Sequence, residues 1–317
     1  MRVRVVLGGP LTTVQDLGRH GRQGEGVPES GAMDVVAARI ANLRVGNDER
    51  AAVIESTLAG PALLFDSDTT VAIGGGDFGA TVDSQPIAPW HAFPVRAGAT
   101  LALGNARHGC RAYIAIAGGV DVPCVLGARS TCLPARFGGH EGRALRAGDV
   151  FAVSEAPPRH VRRALASTLR PEHHATVRLI AGAQLDALDD SSRELLFGAG
   201  LHVSSRSDRT GYRLEGPALR LRAPIELLSS AVTTGTLQLP PNGQPILLMA
   251  DHQTTGGYPK IATVIGPDLG RLAQARPGTT FRFEAVSIEE AVAARRQEAR
   301  AGAGHCRRAA IACASQP

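Results

Sequence analysis

Thr69-Thr-Val-Ala-Ile-Gly-Gly-Gly-Asp-Phe-Gly79, with Ala80-Thr-Val-Asp-Ser-Gln-Pro-Ile-Ala-Pro89 after it, decides between two folds. Alone, the first stretch is a β-branched strand running into G-x-G-x-x-G, the opening of a dinucleotide-binding βαβ unit. That motif requires a following helix, because the pyrophosphate rests on the helix N-terminus. Pro86 and Pro89, with Asp83 and Ser84 before them, forbid the helix. The stretch therefore reads as a strand followed by a glycine-rich β turn. A P-loop is excluded as well, since it needs Gly-Lys-[Ser/Thr] and the only lysine, Lys260, follows Pro259.

The same texture continues outward. Val3 to Leu7, Ala62 to Phe65, Thr69 to Ile73, Thr100 to Leu103 and Ala112 to Ala117 are short apolar or β-branched runs cut by Gly, Pro and Asp. One helix interrupts them, from about Met33 to Arg44, with Val36, Ile40 and Leu43 at helical spacing and Asp34 in its first turn. Residues 155–174 are proline-rich and charged and read as a linker. Beyond it, strands are expected near Val177 to Ala181, Ile225 to Leu228, Thr236 to Leu239, Ile246 to Met249 and Thr280 to Ala285, with short helices near Ser191 to Phe197 and Leu269 to Ala275. Ser287-Ile-Glu-Glu290 has capping-box spacing and starts a helix to about Arg300. Many short strands and few helices predict a mainly β (α+β) chain with barrel-like or sandwich domains at 1–154 and 175–300, and a disordered tail over 301–317.

Composition narrows the function. A chain of 317 residues suggests two domains at roughly 150 residues each. Its longest apolar stretch, Ala112 to Ala117, falls far short of the ~20 residues of a membrane span, and the N-terminus has no signal-peptide core, so a cytoplasmic protein is expected. The formal net charge is +5, but the arginines are scattered among acids and aromatics are only 4%, which argues against nucleic acid. The five cysteines form no C-x-x-C pair and the histidines no H-E-x-x-H, so no metal site is expected.

Chemistry concentrates in three loops. Thr12-Thr-Val-Gln-Asp-Leu-Gly-Arg19, continuing through Gly26-Val-Pro-Glu-Ser-Gly-Ala-Met-Asp34, crowds polar groups around glycines before the helix. It reads equally as a loop that aims backbone N–H groups and Arg19 at an anion or as a structural loop with capping Asp and Ser. Ser205-Arg-Ser-Asp-Arg-Thr-Gly211 flanks a carboxylate with two cations. Asp251-His-Gln-Thr-Thr-Gly-Gly-Tyr-Pro-Lys260 gathers an acid, an imidazole, an amide, hydroxyls, a phenol and an ammonium behind an apolar strand. Lys260 stands out because the other 33 of 34 basic residues are Arg, so a lysine kept here marks a site that needs a compact ammonium.

These loops carry a resemblance. Thr-Val-Gln-Asp-Leu-Gly-Arg19, Gly-Val-Pro-Glu-Ser-Gly-Ala-Met-Asp34, Arg206-Ser-Asp-Arg-Thr-Gly-Tyr-Arg-Leu-Glu-Gly216, Thr233-Thr-Gly-Thr-Leu-Gln238 and Asp251 to Ala262 resemble, in order, the signatures of the KipA/allophanate-hydrolase-subunit-2 family, which includes the C subunit of 5-oxoprolinase. Ala117-Gly-Gly-Val-Asp-Val-Pro123 and Leu126-Gly-Ala-Arg-Ser-Thr131 fit as well. Two positions depart from the usual pattern: Gly74-Gly-Gly-Asp replaces a segment more like Thr-Gly-Ala-Asp, and Ser84 stands where a turn Gly is common.

The resemblance implies two linked cyclophilin-like β-barrel domains and membership of an ATP-dependent 5-oxoprolinase complex. A KipI-like subunit and a lactam-opening subunit would be its partners, with ATP bound there or here. Asp251, His252 and Lys260 would then be catalytic. Gln15, Asp16, Arg19, Ser30, Asp34, Arg206, Asp208, Arg209, Gln238, Gln253, Thr254 and Tyr258 would bind substrate. Two alternatives stay open: transfer of a carboxyl group from carboxybiotin to urea or a similar amide, and a non-catalytic KipA-like regulator of a KipI-like protein. No Ala-Met-Lys-Met sequence is present, so biotin would arrive on another protein.

Overall fold

A computed structural model describes residues 1–155 and 176–300. The chain divides into two compact units, Met1–Arg22 with Glu29–Leu169 and Gln23–Pro28 with Arg170–Pro317. Nearly all of the segment read as a linker, and the tail from 301, lie outside the described residues.

In the first unit the strands are β1 (Arg2–Leu7), β2 (Leu11–Gln15), β3 (Val53–Thr57), β4 (Ala62–Phe65), β5 (Thr69–Asp77), β6 (Thr81–Val82), β7 (Gln85–Pro86), β8 (Ala92–Val95), β9 (Thr100–Ala102), β10 (His108–Ile116), β11 (Val120–Asp121) and β12 (Val150–Val153). They form two antiparallel sheets, β11-β12-β1-β4-β9-β6-β7 and β2-β3-β10-β5-β8. In β1, Val3 and Val5 are buried while Arg2, Arg4 and Val6 face out, the period-2 pattern of a half-buried strand. Val3, Leu63 and Phe65 of one sheet share a core with Val14, Ile54 and Ile114 of the other.

The second sheet is also covered on its far face. Helix α1 (Val35–Arg44) lays Ala37, Ala38 and Ala41 on Ala72, Tyr113 and Ala115. Burial on both faces makes β10 nearly continuously buried.

The glycine-rich segment expected to be a turn is instead the second half of β5. The reason is steric: a Cβ at Gly74 would lie 2.6 Å from the carbonyl oxygen of Ala37, so the helix reaches the sheet only over glycine. The turn lies further on, where Asp83 (φ 45°) and Ser84 (φ 67°) join β6 to β7 in a two-residue hairpin. Both central residues are left-handed, which is why glycine suits this position and Ser84 is a departure.

The second unit contains β13 (Thr176–Ala181), β14 (Leu201–Val203), β15 (Gly211–Glu215), β16 (Ser230–Ala231), β17 (Thr236–Gln238), β18 (Ile246–Leu248), β19 (Thr255–Gly256), β20 (Lys260–Val264) and β21 (Thr280–Ala285). Seven of them close a barrel, β13-β20-β17-β18-β15-β14-β21, sealed by parallel pairing of β13 with β21. Helices α2 (Asp190–Gly198) and α3 (Gly266–Ala273) and a helix over 288–300 accompany it. The capping box is present: Ser287 N–H donates to Glu290 Oε2 (2.7 Å) and Glu290 N–H to Ser287 Oγ (3.1 Å).

The mainly β class with few short helices is thus what the chain adopts. The strand expected at Ile225 to Leu228 is absent; the segment is irregular and Leu228 is 93% exposed. An apolar run of four residues makes a strand only where a neighbour offers its hydrogen bonds, and here the pairing begins later, at β16.

Candidate active site

In the barrel, β17 pairs with β20 through Leu237 and Ala262, and the register then slips so that Gln238 faces Lys260. Such a bulge re-aims side chains. The chain folds back on itself nearby, with Ser230 paired to Gly256 in the two-stranded β16–β19 ladder. Lys260 Nζ donates to Ser230 Oγ (2.7 Å) and to the Gly256 carbonyl (3.4 Å), and Lys260 N–H donates to Gln184 Oε1 (2.9 Å). Among the described residues no carboxylate lies within ion-pair distance of the ammonium. Gln238 is 2% exposed, and its Nε2 is buried without an acceptor. A Cβ at Gly256 would come 2.4 Å from that nitrogen, so only glycine fits there without displacing the amide.

Asp251 and Arg209 form a closed unit beside the barrel strands. Asp251 N–H donates to the Arg209 carbonyl (2.8 Å), while Arg209 Nε and Nη2 donate to Oδ2 (2.9 Å) and Oδ1 (3.1 Å) of Asp251. Both side chains are fully buried. Asp208 supports the turn by accepting from the N–H groups of Thr210 (2.7 Å) and Gly211 (3.1 Å). Arg209, expected to grip a substrate anion, and Asp251, expected to act as a base, are bonded to each other in this structure. Each has the other as a bidentate partner, the strongest geometry available to either group.

His252 differs. Its Nδ1 lies 2.5 Å from the Gln253 carbonyl and its N–H donates to the Met249 carbonyl (3.0 Å). A carbonyl only accepts, so Nδ1–H is the donor in this contact. No hydrogen bond joins His252 to Lys260, although one loop holds both. Gln253 and Tyr258 are exposed and Thr254 is half-buried, its carbonyl accepting from Val232 N–H (3.1 Å). Arg206 points outward to Glu215 (3.1 Å), whose carboxyl is held below its ordinary range by Ser204 Oγ and then by Arg206.

The first unit uses its signature residues internally. Asp16 accepts from Gly18 N–H (2.9 Å), from Arg129 N–H (2.5 Å) and from the Ser130 hydroxyl. Arg19 is 1% exposed; it donates to the carbonyls of Val125 (3.0 Å) and Ser130, and lies 4.6 Å over the Phe137 ring. Arg19, expected to face an anion or to serve a structural loop, here fastens one loop to another. Gln15 Nε2 donates to Thr13 Oγ1 (3.0 Å) and the Thr131 carbonyl (3.2 Å). Gln15 lies in β2, a strand in what read as loop, as does Lys260 at the start of β20. Asp34 caps α1 by accepting from Ala37 N–H (3.0 Å), and Ser30 stands in the left-handed region (φ 56°).

Sequence reading missed Glu55 and Tyr113, paired across β3 and β10. Glu55 Oε2 accepts from Met33 N–H (2.8 Å), and the Tyr113 hydroxyl accepts from Asp34 N–H (2.7 Å). Burial, then the carboxylates of Glu55 and Asp34, pushes the phenol well above its ordinary range. Their signal was a carboxylate and a phenol directly beside apolar strand residues, Ile54 and Ile114. Of the two contacts of Lys260, Gly256 lies in the loop the sequence singled out, and Ser230 was missed because nothing local marks it. Among the described residues, no three His, Cys, Asp or Glu side chains are grouped to hold a metal ion.

Residues 25–285 match the family described as carboxyltransferase domain, subdomain A and B. The chain is 40% identical over 285 residues to the C subunit of 5-oxoprolinase from Haemophilus influenzae, covering 90% of this chain and 91% of that protein. It is 32% identical to the urea amidolyase of Saccharomyces cerevisiae over 90% of this chain but only 17% of that protein. The crystal structure of the K. lactis urea amidolyase superposes with a TM-score of 0.87 at 31% identity, over 92% of this chain and 19% of that one. The chain thus spans less than a fifth of the urea amidolyases it resembles.

Proposed function

The chain belongs to the carboxyltransferase domain, subdomain A and B, family, and on that premise we propose that it is one component of a cytoplasmic, ATP-dependent 5-oxoprolinase. With a KipI-like subunit and a lactam-opening subunit, it converts 5-oxoproline to glutamate. The observation that carries this reading is the end-to-end match with the C subunit of a 5-oxoprolinase, 90% of one chain on 91% of the other.

In this reading Lys260 and His252 are the reactive groups of the chain: an ammonium without a carboxylate partner and an imidazole with its base nitrogen free of the Gln253 contact. Asp251 and Arg209 brace the second unit beside the loop that carries these two groups, and Asp16 and Arg19 brace loops of the first unit. ATP belongs with the partner subunits. The glycine-rich stretch over 74–76 is part of strand β5, packed under α1.

A second reading, carboxyl transfer from carboxybiotin to urea or a related amide, draws support from the likeness to the urea amidolyases. Biotin would then come on another protein, because the chain's single lysine lies in Tyr-Pro-Lys-Ile. Co-expression with the two partner subunits and measurement of ATP-dependent glutamate release from 5-oxoproline tests the first reading. Activity is expected of the assembled subunits, and full turnover by this chain alone would refute it.

A further inference from the structure

We infer that Gln238 and Lys260 together form a site for one amide carbonyl oxygen, with Gln238 Nε2–H as the second donor. The inference rests on the 5-oxoprolinase reading for its substrate and on geometry for its location. An amide N–H buried without an acceptor costs about 1–3 kcal/mol, and Gln238 Nε2 is such a group in a side chain 2% exposed. The facing residue across the bulge is Lys260, whose ammonium holds only a hydroxyl and a carbonyl, so its charge has no counter-ion among the described residues. Both groups abut Gly256: its carbonyl accepts from Nζ, and a Cβ on it would lie 2.4 Å from Nε2.

The donor types select the ligand. One neutral N–H and one ammonium suit an oxygen that is neutral in the ground state and gains negative charge as the carbonyl is attacked. A free carboxylate would instead suit a guanidinium fork, and the arginines of the 205–211 loop are engaged, Arg209 with Asp251 and Arg206 with Glu215. The lactam of 5-oxoproline and the amide of urea both present such an oxygen, which accounts for one scaffold serving relatives named for two substrates.

The single lysine makes the test direct. The full chain is acetylated with an amine-reactive ester, and the rate at Lys260 is followed by peptide mass spectrometry, which separates it from the Met1 amine. The probes are 5-oxoproline, 2-pyrrolidinone (lactam without carboxylate) and L-proline (carboxylate without lactam). Both lactams should slow acetylation of Lys260, about tenfold at ten times their Kd, and L-proline should not. Gln238→Leu should abolish the protection while leaving the ligand-free rate within about twofold. Gly256→Ala, which drives a methyl group into Nε2, should do the same should the first variant fold poorly. Protection by L-proline equal to that by the lactams, or none by either lactam at half-molar concentration, overturns the site. If the assembled subunits open 5-oxoproline yet no lactam shields Lys260, this inference falls and the 5-oxoprolinase reading stands. If the lactams shield Lys260 but the subunits release no glutamate, the reading falls and the site stands.

Discussion

Replacing Arg209 by methionine separates a structural ion pair from a substrate-binding one. The side chains of Arg209 and Asp251 are 2% and 1% exposed and share two hydrogen bonds of 2.9 and 3.1 Å. Methionine keeps much of the volume but leaves the Asp251 carboxylate buried without its counter-charge. Breaking a buried pair from one side costs about 3–5 kcal/mol. Each kcal/mol lowers the melting temperature of a domain of this size by ~3–4 °C, so the second unit should melt roughly 9–20 °C lower. Differential scanning calorimetry reads this directly.

The double variant Arg209→Met/Asp251→Leu should recover much of the loss, because replacing both ions by apolar groups removes the desolvation penalty along with the attraction. If Arg209 were instead a substrate ligand, Arg209→Met would melt as wild type and raise KM alone. A melting temperature within about 2 °C of wild type would refute the frame assigned to this pair.

Three further outcomes are expected. Lys260→Arg, which keeps the charge, should lower turnover of the assembled subunits by ~10²–10³, nearly as far as Lys260→Ala, with melting unchanged; near wild-type rates would reduce Lys260 to generic charge. Gly74→Ala sets a methyl group 2.6 Å from the Ala37 carbonyl and should destabilise the first unit by about 1–3 kcal/mol in urea unfolding, whereas an unchanged midpoint would show that α1 shifts freely. Hydrogen bonds from Arg143 hold the Asp149 carboxyl down to about 2 from an ordinary 3.8. A depressed folded value gives stability that is complete above the ordinary value and is lost as pH falls from about 4 to 2. The first unit should lose on the order of 1–2 kcal/mol across that window, and Asp149→Asn should flatten the dependence.

The legible parts of the fold were those governed by local sequence. The capping box at Ser287 and Glu290 forms within three residues, and the prolines after Gly79 act on their own backbone. Helix α1 was placed correctly by Val36, Ile40 and Leu43, yet its buried face is Ala37, Ala38 and Ala41, because what lies beneath is Gly74 and Ala72 from a distant strand. The site was legible as a set of loops but not as roles. Arg209 and Asp251 look reactive in sequence, and only their meeting across 42 residues neutralises both. Gln15, Asp16 and Arg19 likewise find their partners more than a hundred residues on, at Val125 and in Arg129 to Thr131.

Composition sets position 260 apart: it holds the one lysine among 34 basic residues. Arginine in this chain is repeatedly matched to fixed acceptors: Arg19 to two carbonyls, Arg209 to Asp251, Arg178 to Asp268, Arg143 to Asp149. A guanidinium is permanently charged, and its five donors in a rigid fork invite such matching. At position 260 the surroundings offer a single hydroxyl, Ser230 Oγ, and a single carbonyl, that of Gly256. An arginine there would take up both with its fork and press its planar head toward the Gln238 amide. An ammonium makes the same two contacts and keeps a third donor to turn toward an incoming oxygen. In the proposed reading, a cation that stays incompletely satisfied is what a carbonyl gaining charge can use.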